Sequence, residues 1–177
     1  LDARHMRNAF SLAGSQSAGT FAHWGTPTIK FHQSRGALSG YLAATLAETG
    51  FVAGADVLTA EDGGLYGTYS DGGNPAVALD GLGERWELER LSLRPWPLAS
   101  SLQSVATALL HLVDTAGASA ASVTRARVGL SPTVYNMHGQ LPWDNRFQAL
   151  LSAPFVSAVI LADGTCGLDQ FTPERLK

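Results

Sequence analysis

One predicted helix constrains the fold of this chain more than any other segment. Residues 35–49 place Leu38, Leu42 and Leu46 four positions apart, and Gly50 follows as a natural C-cap. The opposite side of this helix consists of small residues: Gly36, Ala37, Ser39, Gly40, Ala43 and Ala44. A helix with a leucine side and a small-residue side is typical of one buried on both sides. We therefore expect it to lie inside a helical domain.

The surrounding pattern predicts how the first part of the chain is organised. The pattern of residues 3–18 predicts another helix, and the loop 20–33 separates it from the helix predicted over residues 35–49. The composition then changes in a stretch rich in glycine, residues 63–83, which predicts a connector. We therefore expect a helical domain over residues 1–62 and a second domain over residues 84–177.

The second domain is predicted to contain both strands and helices. Residues 86–93 alternate apolar and polar side chains, which predicts a half-buried strand, and residues 121–130 predict a second strand. Amphipathic and apolar patterns predict helices over 98–115 and 146–162, although Pro154 must break, kink or start part of the latter. The expected fold class is therefore α+β, with a helical first third and a β-α-β-α remainder.

Composition excludes several classes of function. The chain has 177 residues, 45% hydrophobic and 15% charged, with a net charge of −3, so it is globular and nucleic acid is not an expected partner. No apolar run reaches the length of about 18 residues that a membrane span needs, so we expect no membrane association. Cys166 is the single cysteine, which rules out an intrachain disulfide, and the scattered histidines predict no metal site. Cytoplasm is the default location.

The low charge and the two termini suggest that another polypeptide contributes to the assembly. A charge fraction this low indicates that part of the surface is covered. The first residues begin inside a helical pattern, and Thr172 with Pro173 near the end resembles the start of a further helix. Both ends are therefore expected to be cut rather than finished.

A cluster of cationic side chains is the best candidate for chemistry. Lys30, His32 and Arg35 lie within six residues, with little acid nearby, which suits a small anionic substrate. His32 suits proton transfer because imidazole titrates near neutral pH. Lys30 could bind a carboxylate or act as a base, and Arg35 could hold a carboxylate with its planar guanidinium. The structural alternatives are a surface lysine for Lys30, a histidine hydrogen-bonded to a helix start for His32 and an exposed helix-start arginine for Arg35.

Five motifs in order resemble those of the MmgE/PrpD family. Residues 7–15 resemble its "RNA-x-x-(I/L)-A-(G/A)-S" helix, and residues 28–37 resemble its "T-K-x-x-H-x-G-x-A-A" segment. Residues 93–97 resemble "L-K-P-Y-P", residues 147–164 resemble its apolar helix ending in "D-G", and residues 171–174 resemble "F-T-x-E". The family includes 2-methylcitrate dehydratase, cis-aconitate decarboxylase and iminodisuccinate epimerase.

The chain departs from the family pattern at three positions. Ile29 stands where the family has a lysine, and Lys30 follows one position later. Arg94 replaces a second lysine, and Gln103 replaces a histidine often found further on. The resemblance implies that Lys30 and His32 are catalytic, and that Lys30, Arg35, Arg94 and Gln103 bind substrate.

The resemblance also implies a fold and an activity. The fold would be part of a large all-α domain followed by a small α/β lid domain, with the active site between them. The activity would be that of a cofactor-independent lyase, a dehydratase that removes a proton next to a carboxylate of a small di- or tricarboxylate. An isomerase on the same scaffold, or a non-catalytic fragment, are the alternatives. A homodimer or a companion chain would supply the rest of the helical domain, including an acidic partner in the site.

The remaining histidines and the cysteine are weaker candidates. We expect His23 and His111 to be structural. His138, in the polar loop 131–145, could contact a partner or the site. Cys166 follows a turn without a motif around it and is expected to be a small residue without chemistry.

Overall fold

The computed structural model describes residues 1–177, and these residues divide into two compact units. The first unit comprises Leu1–Ala22 and Thr28–Leu91, and the second comprises His23–Pro27 and Ser92–Lys177. Every regular element in both units is helical. The α-helices are α1 Ala3–Ser15, α2 Thr28–Glu48, α3 Leu65–Tyr69, α4 Pro75–Leu79, α5 Gln103–Ala116, α6 Pro132–Val134, α7 Arg146–Ala149 and α8 Ala153–Asp163. A π-helical turn at Tyr135–Gly139 and 3₁₀ turns at Phe21–His23, Glu87–Arg90, Ser100–Leu102, Leu168–Phe171 and Pro173–Leu176 complete the list.

In the first unit, α1 and α2 pack through small side chains. The side chain of Asp2 caps α1 by accepting a hydrogen bond of 2.8 Å from the His5 backbone N–H. The buried residues of the pair are Asn8, Ala9 and Ser11 of α1 and Ser39, Ala43 and Ala47 of α2. Such short side chains let the two helix backbones approach closely. The leucine side of α2 is open, because Leu38 is 58% exposed and Leu42 is 43% exposed.

Helix α2 begins earlier than the sequence predicts. The sequence predicts a loop over residues 20–33, but α2 starts at Thr28 and contains Lys30 and His32. The loop prediction rested on Pro27, and in the structure this proline stands directly before the first helical residue. Proline is well tolerated at a helix start because no intrahelical N–H bond is needed there.

In the second unit, α5 and α8 form the core. The fully buried side chains there include Leu102, Val156, Ile160 and Phe171. The hydroxyl of Ser152 caps α8, and Pro154 occupies its first turn, so the proline starts this helix rather than breaking it. Gly164 ends α8 with a φ of +68°, a backbone conformation that glycine adopts without strain.

The prediction of an α+β fold with a small α/β lid domain is wrong, because the structure contains helices and no sheet. In the first predicted strand, Glu87–Arg90 form a 3₁₀ turn. In the second, residues 125–130 form no regular secondary structure, and their backbones make no hydrogen bond to another segment. An alternating pattern predicts a half-buried extended segment, whereas a sheet also needs a neighbouring strand, which the pattern does not supply.

None of the helices combines enough length with enough apolar character to cross a lipid bilayer.

Candidate functional site

A groove in the first unit contains two of the three residues of the cationic cluster. It has a volume of about 400 Å³ and lies between the end of α1, the middle of α2 and α3. We refer to it as the α1–α2 groove. Its lining residues are Ala13, Gln16, Ser17, Ala18, His32, Arg35, Gly36, Ser39, Gly40 and Tyr69.

The geometry of α2 brings His32 and Arg35 to the same side of the groove. Residues three and four apart in a helix share one face, and both side chains are half-buried. The Arg35 guanidinium donates a hydrogen bond to the hydroxyl of Ser39, one turn further along. This contact restricts the guanidinium, so less conformational entropy remains to be lost when it binds a ligand.

The ring of His32 lies directly against the backbone at Gly19. A Cβ atom at this position would be 2.9 Å from His32 Nδ1, and the backbone has a φ of +107°. Both observations require glycine at residue 19. The close approach limits the space available to the imidazole and thereby positions it at the groove.

The end of α1 is held in position by hydrogen bonds from side chains to backbone carbonyl groups. Gln16 Nε2 donates to the carbonyl of Leu12 at 3.0 Å and to that of Ser39 at 3.5 Å. The Tyr69 hydroxyl donates to the carbonyl of Ser17 at 3.3 Å. These bonds hold one wall of the groove against α2 and α3.

The groove is suited to a small anion. Its lining includes one guanidinium, one imidazole and several hydroxyl and amide groups, and no lining residue is an aspartate or a glutamate. A guanidinium binds carboxylates through two parallel N–H donors, and an adjacent imidazole can accept or donate a proton. No group of three or more His, Cys, Asp or Glu side chains is arranged to hold a metal ion.

Lys30 does not reach this groove. It is exposed and lies two residues before His32 on the same helix. Residues two apart in an α-helix point about 200° away from each other, so Lys30 lies on the opposite side of α2. The structure therefore brings together His32 and Arg35 and leaves Lys30 apart.

The two other predicted substrate-binding residues belong to the second unit. Arg94 is exposed in the proline-containing segment before α5. Gln103 begins α5, and its amide is bonded to nearby backbone: Nε2 donates to the carbonyls of Trp96 at 3.0 Å and Leu98 at 3.3 Å, and Oε1 accepts from the Trp96 N–H at 3.3 Å. These bonds fix the turn that precedes α5, and substrate binding by Arg94 and Gln103 stays a prediction.

His138 is far more enclosed than its polar sequence surroundings indicate. It lies in the π-helical turn and is fully buried. Its Nδ1 is 2.7 Å from the carbonyl of Leu151, its Nε2 is 2.6 Å from the hydroxyl of Ser101, and Trp24 contacts its ring edge-on at 5.4 Å. Burial lowers the pKa of His138, although the Leu151 carbonyl opposes this effect. The sequence predicts a polar loop over residues 131–145, so it gives no signal for such burial.

Comparison with known protein families gives a match in the second unit. Residues 96–177 match the family model described as the MmgE/PrpD C-terminal domain, and this match covers most of the second unit. The resemblance inferred from the motifs is therefore confirmed for these residues. No curated protein matches the chain significantly. The α1–α2 groove precedes the matched residues.

Proposed function

We propose that this chain, whose residues 96–177 match the MmgE/PrpD C-terminal domain, forms part of a dehydratase for a small di- or tricarboxylate. Members of the family are dehydratases or isomerases, which supports an enzyme of one of these two kinds. The observation that carries the proposal is the α1–α2 groove, where His32 and Arg35 line one wall and no lining residue is an aspartate or a glutamate.

In the proposed reaction, Arg35 binds a carboxylate of the substrate. This places the adjacent C–H bond near His32, whose neutral imidazole accepts the proton as the electron pair forms the new double bond. The hydroxyl group on the neighbouring carbon leaves as water, with its proton supplied by an acid from outside the groove. The guanidinium also stabilises the negative charge that develops on the carboxylate during proton removal.

The proposal predicts different effects on activity for substitutions on the two sides of α2. His32→Gln removes the base, and we expect turnover to fall by about 10²–10⁴-fold, as for other general bases. Arg35→Gln should mainly raise KM by weakening carboxylate binding. Lys30→Gln is the matched control, because Lys30 lies on the opposite side of the same helix. Substantial loss of activity in Lys30→Gln alone would contradict the placement of the site in the groove.

The experiment is turnover of 2-methylcitrate, citrate and cis-aconitate by the purified protein in D₂O, followed by ¹H NMR. Loss of water from a hydroxyacid, abolished in His32→Gln, supports the dehydratase. Deuterium incorporation with racemisation and without loss of water or CO₂ instead identifies an isomerase on the same residues. Absence of both turnover and binding for every carboxylate contradicts an enzymatic role for the groove and favours a fragment that requires a partner chain.

A further inference from the structure

Ser39 differs from the other hydroxyl residues in the body of α2. Ser34 and Thr45 each donate the hydroxyl proton to the backbone carbonyl four residues earlier, at 3.4 and 3.0 Å. This is the usual bond of serine and threonine inside a helix. The hydroxyl of Ser39 makes no such bond, and its one hydrogen bond is the one that it accepts from the Arg35 guanidinium. The hydroxyl proton of Ser39 therefore has no acceptor within the chain.

This donor belongs to the α1–α2 groove. Ser39 is 5% exposed and is one of the residues that line the groove. A buried donor without an acceptor costs free energy, so a ligand oxygen that accepts this proton also removes that cost. No aspartate or glutamate lines the groove, so the chain itself supplies no carboxylate as the acceptor.

Helix packing alone does not explain a serine at this position. The other buried residues of α2, Ala43 and Ala47, are alanines. Alanine is smaller than serine, favours the helix more and buries no polar group. The hydroxyl of Ser39 is therefore the part of the residue that the packing of α1 against α2 does not require.

From these observations we propose that Arg35 and Ser39 together bind one carboxylate of the substrate, with one oxygen on the guanidinium and the other on the Ser39 hydroxyl. A serine hydroxyl can accept from a guanidinium and donate to a ligand at the same time, because it has two lone pairs and one proton. Hydrogen bonds to an ionised acceptor are roughly twice as strong as neutral ones. This inference rests on the proposed function, since it concerns the carboxylate that Arg35 binds there.

The test measures binding and does not depend on turnover. The ¹⁵N-labelled protein is titrated with succinate and with tricarballylate, a di- and a tricarboxylate without a hydroxyl group to eliminate, and the Arg35 Nε–H signal is followed. Ser39→Ala should weaken binding about 10–100-fold, as expected for the loss of a hydrogen bond to a charged group. The thermal midpoint of this variant should stay the same or rise, because alanine favours the helix.

Two further variants show what the serine does. Ser34→Ala is the matched control, because Ser34 is exposed on the same helix and its hydroxyl is bonded to a backbone carbonyl. Its affinity should equal that of the wild type. Ser39→Ala is also introduced into Arg35→Lys, which keeps a positive charge but removes the guanidinium. A hydroxyl that contacts the ligand still contributes in this background, whereas one that only positions the guanidinium does not.

Three results would overturn the proposal. The first is equal affinity of the wild type and Ser39→Ala, even if the wild type turns over a hydroxyacid as the proposed function requires. The second is no effect of Ser39→Ala in the Arg35→Lys background. The third is no binding of either carboxylate to the wild type. Ser39-dependent binding without turnover of any hydroxyacid would instead support the shared carboxylate site and contradict the proposed dehydratase.

Discussion

The hydroxyl of Ser101 and Nε2 of His138 lie 2.6 Å apart, while Nδ1 of the same ring lies 2.7 Å from the Leu151 carbonyl. A carbonyl can only accept, so Nδ1 carries the proton and donates to Leu151. Nε2 of the neutral ring is then an acceptor, and the Ser101 hydroxyl donates to it. The histidine thereby links the segment before α5, the π-helical turn and the segment before α8 through one buried side chain.

Removal of the Ser101 hydroxyl should destabilise the second unit. Ser101→Ala leaves the buried Nε2 of His138 without a donor, and an unsatisfied buried polar group costs about 1–3 kcal/mol. The free energy of unfolding, measured by urea titration at pH 7.5, should fall by this amount. Ser100→Ala is the matched control, because Ser100 is the exposed neighbour in the same 3₁₀ turn. Equal effects of the two substitutions would contradict the role assigned to the Ser101–His138 bond.

The stability of the chain should fall in mild acid because of His138. Its pKa is lowered in the folded protein by burial, so below the ordinary value of 6.5 the unfolded chain binds more protons than the folded one. Stability is then lost as the pH falls from 6.5 toward the folded pKa, with a slope of up to about 1.4 kcal/mol per pH unit.

The measurement is a series of urea unfolding curves between pH 7.5 and 5.0 for the wild type and for His138→Gln. The variant is expected to be less stable overall, so the readout is the slope with pH, which should be smaller in the variant. An identical slope in wild type and His138→Gln would show that another group controls the acid response.

Alanine substitution at two glycines next to the groove should change the stability of the protein in opposite directions. Gly19→Ala places a methyl group against the His32 ring in a backbone conformation with a φ of +107°, so both the ring position and the stability should be disturbed. Gly36→Ala introduces a methyl group with no atom within 4 Å inside α2, so the helix should gain up to about 1 kcal/mol.

The His32 imidazole signals in a ¹H–¹³C spectrum and the thermal midpoint together test this pair of variants. Shifted His32 signals are expected in Gly19→Ala and not in Gly36→Ala. Unchanged signals in both would mean that the Gly19 backbone does not position the ring.

The sequence was informative where local chemistry decides the structure. Pro154 and Gly164 mark the start and the end of α8 because the ring of proline suits a first turn and glycine suits a left-handed C-cap. Ser39 and Ala43 on the small-residue side of α2 are buried, but the leucine side, which was expected to be buried as well, is largely exposed. The motifs also indicated the family whose C-terminal domain residues 96–177 match.

The spatial arrangement of segments and side chains could not be predicted from the sequence in the same way. The alternation around Val128 predicts a strand, but it does not say whether another strand lies alongside, and the structure contains no strand there. In the candidate site, the cationic cluster was visible as three close residues. Only the start of α2 at Thr28 shows that Lys30 and His32 lie on opposite sides of one helix.

Cys166 should be an unreactive thiol in the folded protein. It is 4% exposed in the core of the second unit, and burial raises its pKa to about 11. Only the thiolate attacks a disulfide reagent, so a thiol with this pKa is almost entirely protonated at pH 8. Labelling by Ellman's reagent should therefore be slow and should accelerate in urea in parallel with unfolding.

A suitable control is Ser104→Cys in a Cys166→Ala background, since Ser104 is exposed on α5 and its replacement should react rapidly. Labelling of native Cys166 as fast as that of the control cysteine would show that this part of the core opens readily in solution.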